Sequence, residues 1–255
     1  MSNRFPLLIL STGLFIYSLS TTSCNSDNPA EKPGSLAFHM HTLIDSNEVN
    51  NYGELLTTAE GRKITVTTAQ MYISNVKLIK TNGDVVDGPS SVILVKQGIE
   101  EYEFGDAPAG NYKTVRFDVG LSDAANASTP LASDLVLYQP SMWFGATPQP
   151  QGFVFINFQG SIDTTDTQLG INLIPFAFKI GTNAHRVTIT MPEQNFSVVS
   201  DQLNVVHLEA NYAKLLDPVD LNVNGNLNIT TPEENSWDWI SQMEESIAGM
   251  FTYEE

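Results

Sequence analysis

The sequence predicts an all-β domain, a single β-sandwich of immunoglobulin-like, Greek-key type closed by a short C-terminal helix. Three observations predict it. Apolar and polar residues alternate with period two in one run after another. Clusters of Gly, Asn, Asp and Pro with turn chemistry separate those runs. A helically spaced segment occurs once, at the end of the chain. The clearest strand lies in Gly105–Ser122, where Pro108, Gly110 and Asn111 form a turn and Gly120 ends the run. Between them Val115, Phe117 and Val119 alternate with Thr114, Arg116 and Asp118. With 255 residues, 42% of them hydrophobic, the chain can bury a sizeable core, and sandwiches of this length are commonly one domain.

Taken in order, the chain starts with Arg4 and the apolar run Leu7–Tyr17, too short to span a bilayer and suited to a signal-peptide core. Small residues then lead to Cys24, the single cysteine. This has the form of a bacterial lipoprotein signal. Residues 1–23 are expected to be removed, Cys24 to carry lipid, and residues 24–34, with Pro29 and Pro33, to act as a tether. The alternative is plain secretion with a free thiol, which is unusual in an oxidising compartment. Either way no disulfide can form, so packing must hold the domain. Lys and Arg number 12 against 29 Asp and Glu, a net charge of −17. Loss of Arg4 with the leader takes this to −18. Such a balance argues against nucleic acid and anionic membrane surfaces as partners. The expected location is the cell envelope, on the outer membrane and facing the periplasm or the surface.

The domain is expected over residues 35–255. Residues 35–43 read as a strand with Leu36, Phe38 and Met40 on one face and His39 and His41 on the other. Residues 45–62 read as a polar connection. Two runs follow within Ile64–Lys80, and Asn82-Gly83 marks a hairpin into Val85 and Val86. Short strands are expected at 91–95 and 102–104. Residues 122–151 form a long loop rich in Asp, Asn and Pro that contains Met142, Trp143 and Phe144; long loops inside compact domains are usually functional or disordered. Phe153–Phe158 is apolar on both parities and reads as a central strand. Further strands fall at 173–180, 187–191, 203–210 and 221–229. Thr231-Pro232-Glu233-Glu234 resembles a helix start. Trp237, Ile240, Met243, Ile247 and Phe251 follow at helical spacing, predicting a helix over about 232–250.

No enzyme motif is present: there is no GxSxG, P-loop, HExxH or CxxC, and an enzyme is not expected. Acid pairs such as Asp163/Asp166 and Glu100/Glu101 read as solvated loops. Asp118, Asp123 and Asn126 offer oxygen ligands of the kind calcium takes, but their spacing matches no recognised calcium loop. His185, beside Arg186 at a turn, reads as a surface residue. The informative residues are His39 and His41. At i and i+2 on a strand they project from one face, roughly 6.5–7 Å apart. If the strand carrying His207 lies beside theirs, three imidazoles meet, a donor set suited to copper, zinc or nickel. The competing reading is two exposed strand histidines and one core histidine. Trp143 reads as an aromatic anchor under the long loop, with a glycan platform or a redox-active indole as alternatives.

Several stretches together resemble the MbnP family of exported proteins, also described as CorA/MopE-like copper-binding proteins. They are Leu36–His39, Met71–Leu78, Pro108–Tyr112 running into Val115–Gly120, Asp123 with Asn126, Met142–Phe144, Gly152–Gly160, Val206–Leu208 and Ile247–Phe251. The resemblance spans about residues 35–251. It implies a β-sandwich holding Cu(I) with histidines and an oxidised tryptophan made by a di-haem peroxidase-like partner of the MbnH type. By position it selects His39 and His207 as ligands and Trp143, with Met142 beside it, as the modified or near-site residue. His41 is a third candidate ligand. The chain departs from the family pattern around Met142–Phe144, with an insertion holding Pro148 and Pro150, and at Lys179, where many members have histidine. The expected function is therefore that of a lipid-anchored, non-enzymatic Cu(I)-binding protein. The alternative is a metal-free surface lipoprotein that binds a protein or glycan through the loop around Trp143.

Overall fold

The computed structural model describes residues 32–146 and 152–254. The expected signal peptide, Cys24, most of the tether, Pro148 and Pro150 lie outside the described residues. In chain order the strands are β1 (Gly34–Ile44), β2 (Asn47–Glu48), β3 (Leu55–Thr57), β4 (Lys63–Lys80), β5 (Val85–Asp87), β6 (Ile93–Val95), β7 (Glu101–Ala107) and β8 (Gly110–Val119). They continue with β9 (Val154–Asp163), β10 (Leu173–Gly181), β11 (Val187–Thr190), β12 (Phe196–Val198), β13 (Leu203–Asn211), β14 (Asn228–Ile229) and β15 (Phe251–Tyr253). The α-helices are α1 (Asp123–Asn126) and α2 (Ser241–Ala248).

Two sheets form the sandwich. The first runs β15-β13-β1, with β7 and β2 sharing the far side of β1. The second runs β11-β8-β4-β9-β10-β14. Alternation decides which side chains meet between them. Leu36, Phe38 and Met40 of β1 point inward and are at most 2% exposed, and the Phe38 ring packs 5.6 Å from that of Phe117 on β8. Phe251 of β15 reaches the same Phe117 from the first sheet, centroids 5.1 Å apart. Each such buried side chain contributes about 1.5–3 kcal/mol.

The Phe153–Phe158 run is buried on both parities, as its composition requires. Ile156 and Phe158 face the main core, whereas Phe153 and Phe155 face a second apolar cluster with Tyr72, Leu94, Leu121, Met142 and Trp143. The segment after β8 folds over the outer face of the second sheet to form that cluster.

Three expectations change. Of the strand read at 221–229 only Asn228–Ile229 pairs, beside β10, after a 3₁₀ turn over Asn224–Leu227. Residues 64–80 form part of one 18-residue strand rather than two. It stays continuous through a bulge at Asn75 (φ 53°), where the Asn75 amide donates to Asp118. The C-terminal helix is shorter than 232–250. Thr231 and Glu234 do form a reciprocal capping box, Glu234 N–H to Thr231 Oγ1 at 3.3 Å and Thr231 N–H to Glu234 Oε2 at 3.0 Å. That box closes only a 3₁₀ turn over Glu234–Ser236. Trp237 adopts ψ 139° and breaks the run, so α2 starts at Ser241. Ile240, Met243 and Ile247 are buried as the spacing requires, but Trp237 is 39% exposed. Phe251 leaves the helix because β15 pairs with β13, Ala210 opposite Phe251.

Candidate metal centre

β1 presents His39 and His41 outward because Phe38 and Met40 must face the core. β13 alternates in the same phase, with Val206, Leu208 and Ala210 inward and His207 outward. The two strands pair in parallel, and their register sets His39 beside His207. Three of the four histidines therefore share one patch on the outer face of the first sheet.

The His39 and His41 Nε2 atoms lie 3.2 Å apart, and the His39 and His207 ring centroids 5.0 Å apart. Three carboxylates border the imidazoles. The β1–β2 hairpin places Glu48 opposite Leu43, and Glu48 Oε1 is 2.8 Å from His41 Nδ1. Glu100, just before β7, has Oε2 3.9 Å from His39 Nε2. Glu254, just after β15, has Oε2 3.0 Å from His207 Nδ1 and Oε1 3.6 Å from His41 Nε2. A carboxylate only accepts, so neutral His41 carries its hydrogen on Nδ1 and leaves a lone pair on Nε2. His39 Nε2–H then donates to that lone pair. A metal ion would take the place of this hydrogen.

Donor spacing fits such an ion. Two nitrogens bound to one tetrahedral ion at about 2.0–2.1 Å stand roughly 3.3 Å apart, and a linear pair about 4 Å apart. The 3.2 Å observed matches the bent arrangement. His39, His41 and Glu100 each offer a ligand atom, all within 4.8 Å of one another. His207 stands next to this trio rather than in it. The side chains of His39 and His41 are only 25% and 19% exposed, that of His207 55%.

Trp143 and Met142 do not join the histidines. They sit in the apolar cluster on the outer face of the other sheet, and the sheets of a sandwich are themselves about 10 Å apart. Trp143 is 2% exposed, its indole N–H donates to the Leu137 carbonyl at 3.1 Å, and Tyr138 packs against it edge to face. This is an anchor, and its contacts are apolar packing and a satisfied N–H. Lys179, in β10, also belongs to the second sheet.

His185 is buried, contrary to its surface reading. Its Nε2 lies 2.7 Å from the Asn235 carbonyl and its Nδ1 3.3 Å from Glu244 of α2. Asp118, Asp123 and Asn126 are separately engaged, with Asn75 and Thr188, Arg186, and Asn183 respectively. They form no common cation cage. Glu48, Glu100 and Glu254 were the residues that sequence reasoning missed. The β1–β2 hairpin brings Glu48, the pairing of β7 with β1 brings Glu100, and that of β15 with β13 brings Glu254, and none of these pairings shows in local composition.

Comparisons with known proteins agree with this architecture. A family model, MbnP, matches residues 33–233. Among solved structures, the chain is similar to MbnP from Methylosinus trichosporium, with a TM-score of 0.51 and 17% identity over 74% of this chain and 79% of that one. At that identity the likeness is one of fold. A search of curated proteins returns no match.

Proposed function

Because the chain belongs to the MbnP family, we propose that it is a non-enzymatic, copper-binding protein of the cell envelope, anchored by lipid on Cys24. The observation that carries this reading is the pair of Nε2 atoms 3.2 Å apart on β1, with His207 brought alongside by register. Copper is the cargo here. His39 and His41 would hold it through Nε2, and His207 is placed to complete or guard the site. Imidazole nitrogen suits copper, zinc, iron and nickel, with Cu(II) highest in the divalent affinity order, and ligation requires the neutral rings.

Trp143 lies in the apolar cluster on the opposite sheet, so this reading assigns the ion to the histidines and not to Trp143. The glycan-platform alternative has little support, since a stacking surface must be open and Trp143 is covered.

The test is metal analysis of the protein purified from its own host, followed by copper titration of the metal-free form. Wild type should bind one copper tightly. His39→Ala and His41→Ala should each weaken binding at least a hundredfold, and His207→Ala should weaken it measurably. Unchanged copper affinity in the His39→Ala/His41→Ala double variant would refute the site.

A further inference from the structure

The carboxylates around the histidines bear on which ion the site takes. Glu48, Glu100 and Glu254 converge on one patch of a chain that already carries −17. Among the described residues, no Lys or Arg pairs with any of the three; their ionic partners are histidines. Neutral imidazoles, the form that ligates, leave those carboxylates without a cationic partner in the chain, and a doubly charged ion would offset more of that charge than a singly charged one. The donor chemistry points the same way. Met40 turns into the core, so no thioether joins the trio, and the third atom within reach of His39 and His41 is the Glu100 oxygen. Carboxylate oxygen with imidazole nitrogen suits Cu(II) or Zn(II), whereas soft sulfur ligands select Cu(I).

Resting on the copper reading of this site, we infer that it takes a divalent first-row cation, with Glu100 as an oxygen ligand beside the Nε2 atoms of His39 and His41. Glu48 and Glu254 are positioning residues. By accepting from Nδ1 of His41 and His207 they fix the tautomer that leaves Nε2 open, the role carboxylates commonly take behind metal-bound histidine. Glu100 is exposed, its side chain 57% accessible, so it can close the 3.9 Å gap without disturbing the fold.

The experiment titrates the metal-free full chain with Cu(II) alone, with Zn(II) alone, and anaerobically with Cu(I) under reductant. Glu100→Gln should weaken Cu(II) and Zn(II) about tenfold or more and move Cu(I) less than threefold. Glu103→Gln, the same charge change farther along β7, should change none of them. Cu(II) bound to wild type should give an electron paramagnetic resonance spectrum of mixed nitrogen and oxygen ligation that shifts in Glu100→Gln. Glu48→Ala should weaken divalent binding about 10–100-fold, and Glu48→Gln, whose amide oxygen still accepts from Nδ1, should restore most of it. Equal effects of Glu100→Gln on Cu(I) and Cu(II), or none on either, overturn the inference while the histidine site stands. Insensitivity of all three ions to loss of His39 and His41 overturns the site itself.

Discussion

Asn235→Ala should cost about 3 kcal/mol. Asn235 is 2% exposed and its side chain serves three backbone groups at once. Its Oδ1 accepts from Gly181 N–H at 2.9 Å, and its Nδ2 donates to the carbonyls of Lys179 and Thr231, each at 2.9 Å. Alanine leaves all three without this partner. The buried Gly181 N–H, at the end of β10, bears the full desolvation cost of about 1–3 kcal/mol, and the two half-buried carbonyls lose about 0.5–1.5 kcal/mol each before water compensates them. The amide itself is small, so little is added for a cavity. Urea unfolding followed by tryptophan fluorescence reads this directly. With a slope of about 2–3 kcal/mol/M, the midpoint should fall by about 1–1.5 M with the slope unchanged. The variant should still bind copper, since no contact of Asn235 reaches β1 or β13. A stability loss under about 1 kcal/mol would show that water or a neighbour replaces the amide, and the reasoning would fail.

Three further outcomes are expected. Cys24→Ser should release the protein from membranes; a Ser variant still membrane-bound, with no lipid mass on wild type, would refute the anchor. Gly160→Ala should destabilise by about 3 kcal/mol or more, because a Cβ there would lie 1.9 Å from the Thr65 carbonyl oxygen of the neighbouring strand; a folded variant of wild-type stability would contradict the packing. Burial pushes the Tyr102 hydroxyl up to about 12, above the unfolded value near 10. The native state thus keeps that proton longer, so its contribution is intact below about pH 10 and lost as pH rises from 10 through 12. Tyr102→Phe should flatten the fall of the urea midpoint across that window, and an unchanged slope would exclude Tyr102 as a cause.

The parts of this molecule that were legible in the sequence are those set by alternation along one strand. Phe38 and Met40 going inward forces His39 and His41 outward, and no partner is needed to infer it. Phe153–Phe158 likewise announces a strand covered on both sides. Pairing between distant segments is another matter. Nothing in Leu203–Asn211 says that it lies parallel to β1, because the choice is made by tertiary packing. Glu48, Glu100 and Glu254 therefore read as ordinary loop acids until their neighbours are known. The helix was overextended for a related reason. Trp237 and Phe251 fit a helical period, but Asn235 is captured by the backbone of β10 and Phe251 by the edge of β13, and these contacts outweigh spacing. His185 was misread because a histidine beside arginine at a turn looks solvated, while the lid over it arrives from α2.

The parallel pairing of β1 with β13 also sets a timetable. His39, His41 and Glu48 are joined by a local hairpin and exist together early in the chain. His207 and Glu254 come from its last quarter, and such non-local pairing is the slow part of folding. A chain unfinished before β13 therefore offers His39, His41, Glu48 and Glu100 but not His207 or Glu254, and the full set of groups forms only when almost every residue has found its place. A metal held there would then double as a mark of completed assembly, and a chain cut short before β13, lacking His207 and Glu254, should hold it less tightly.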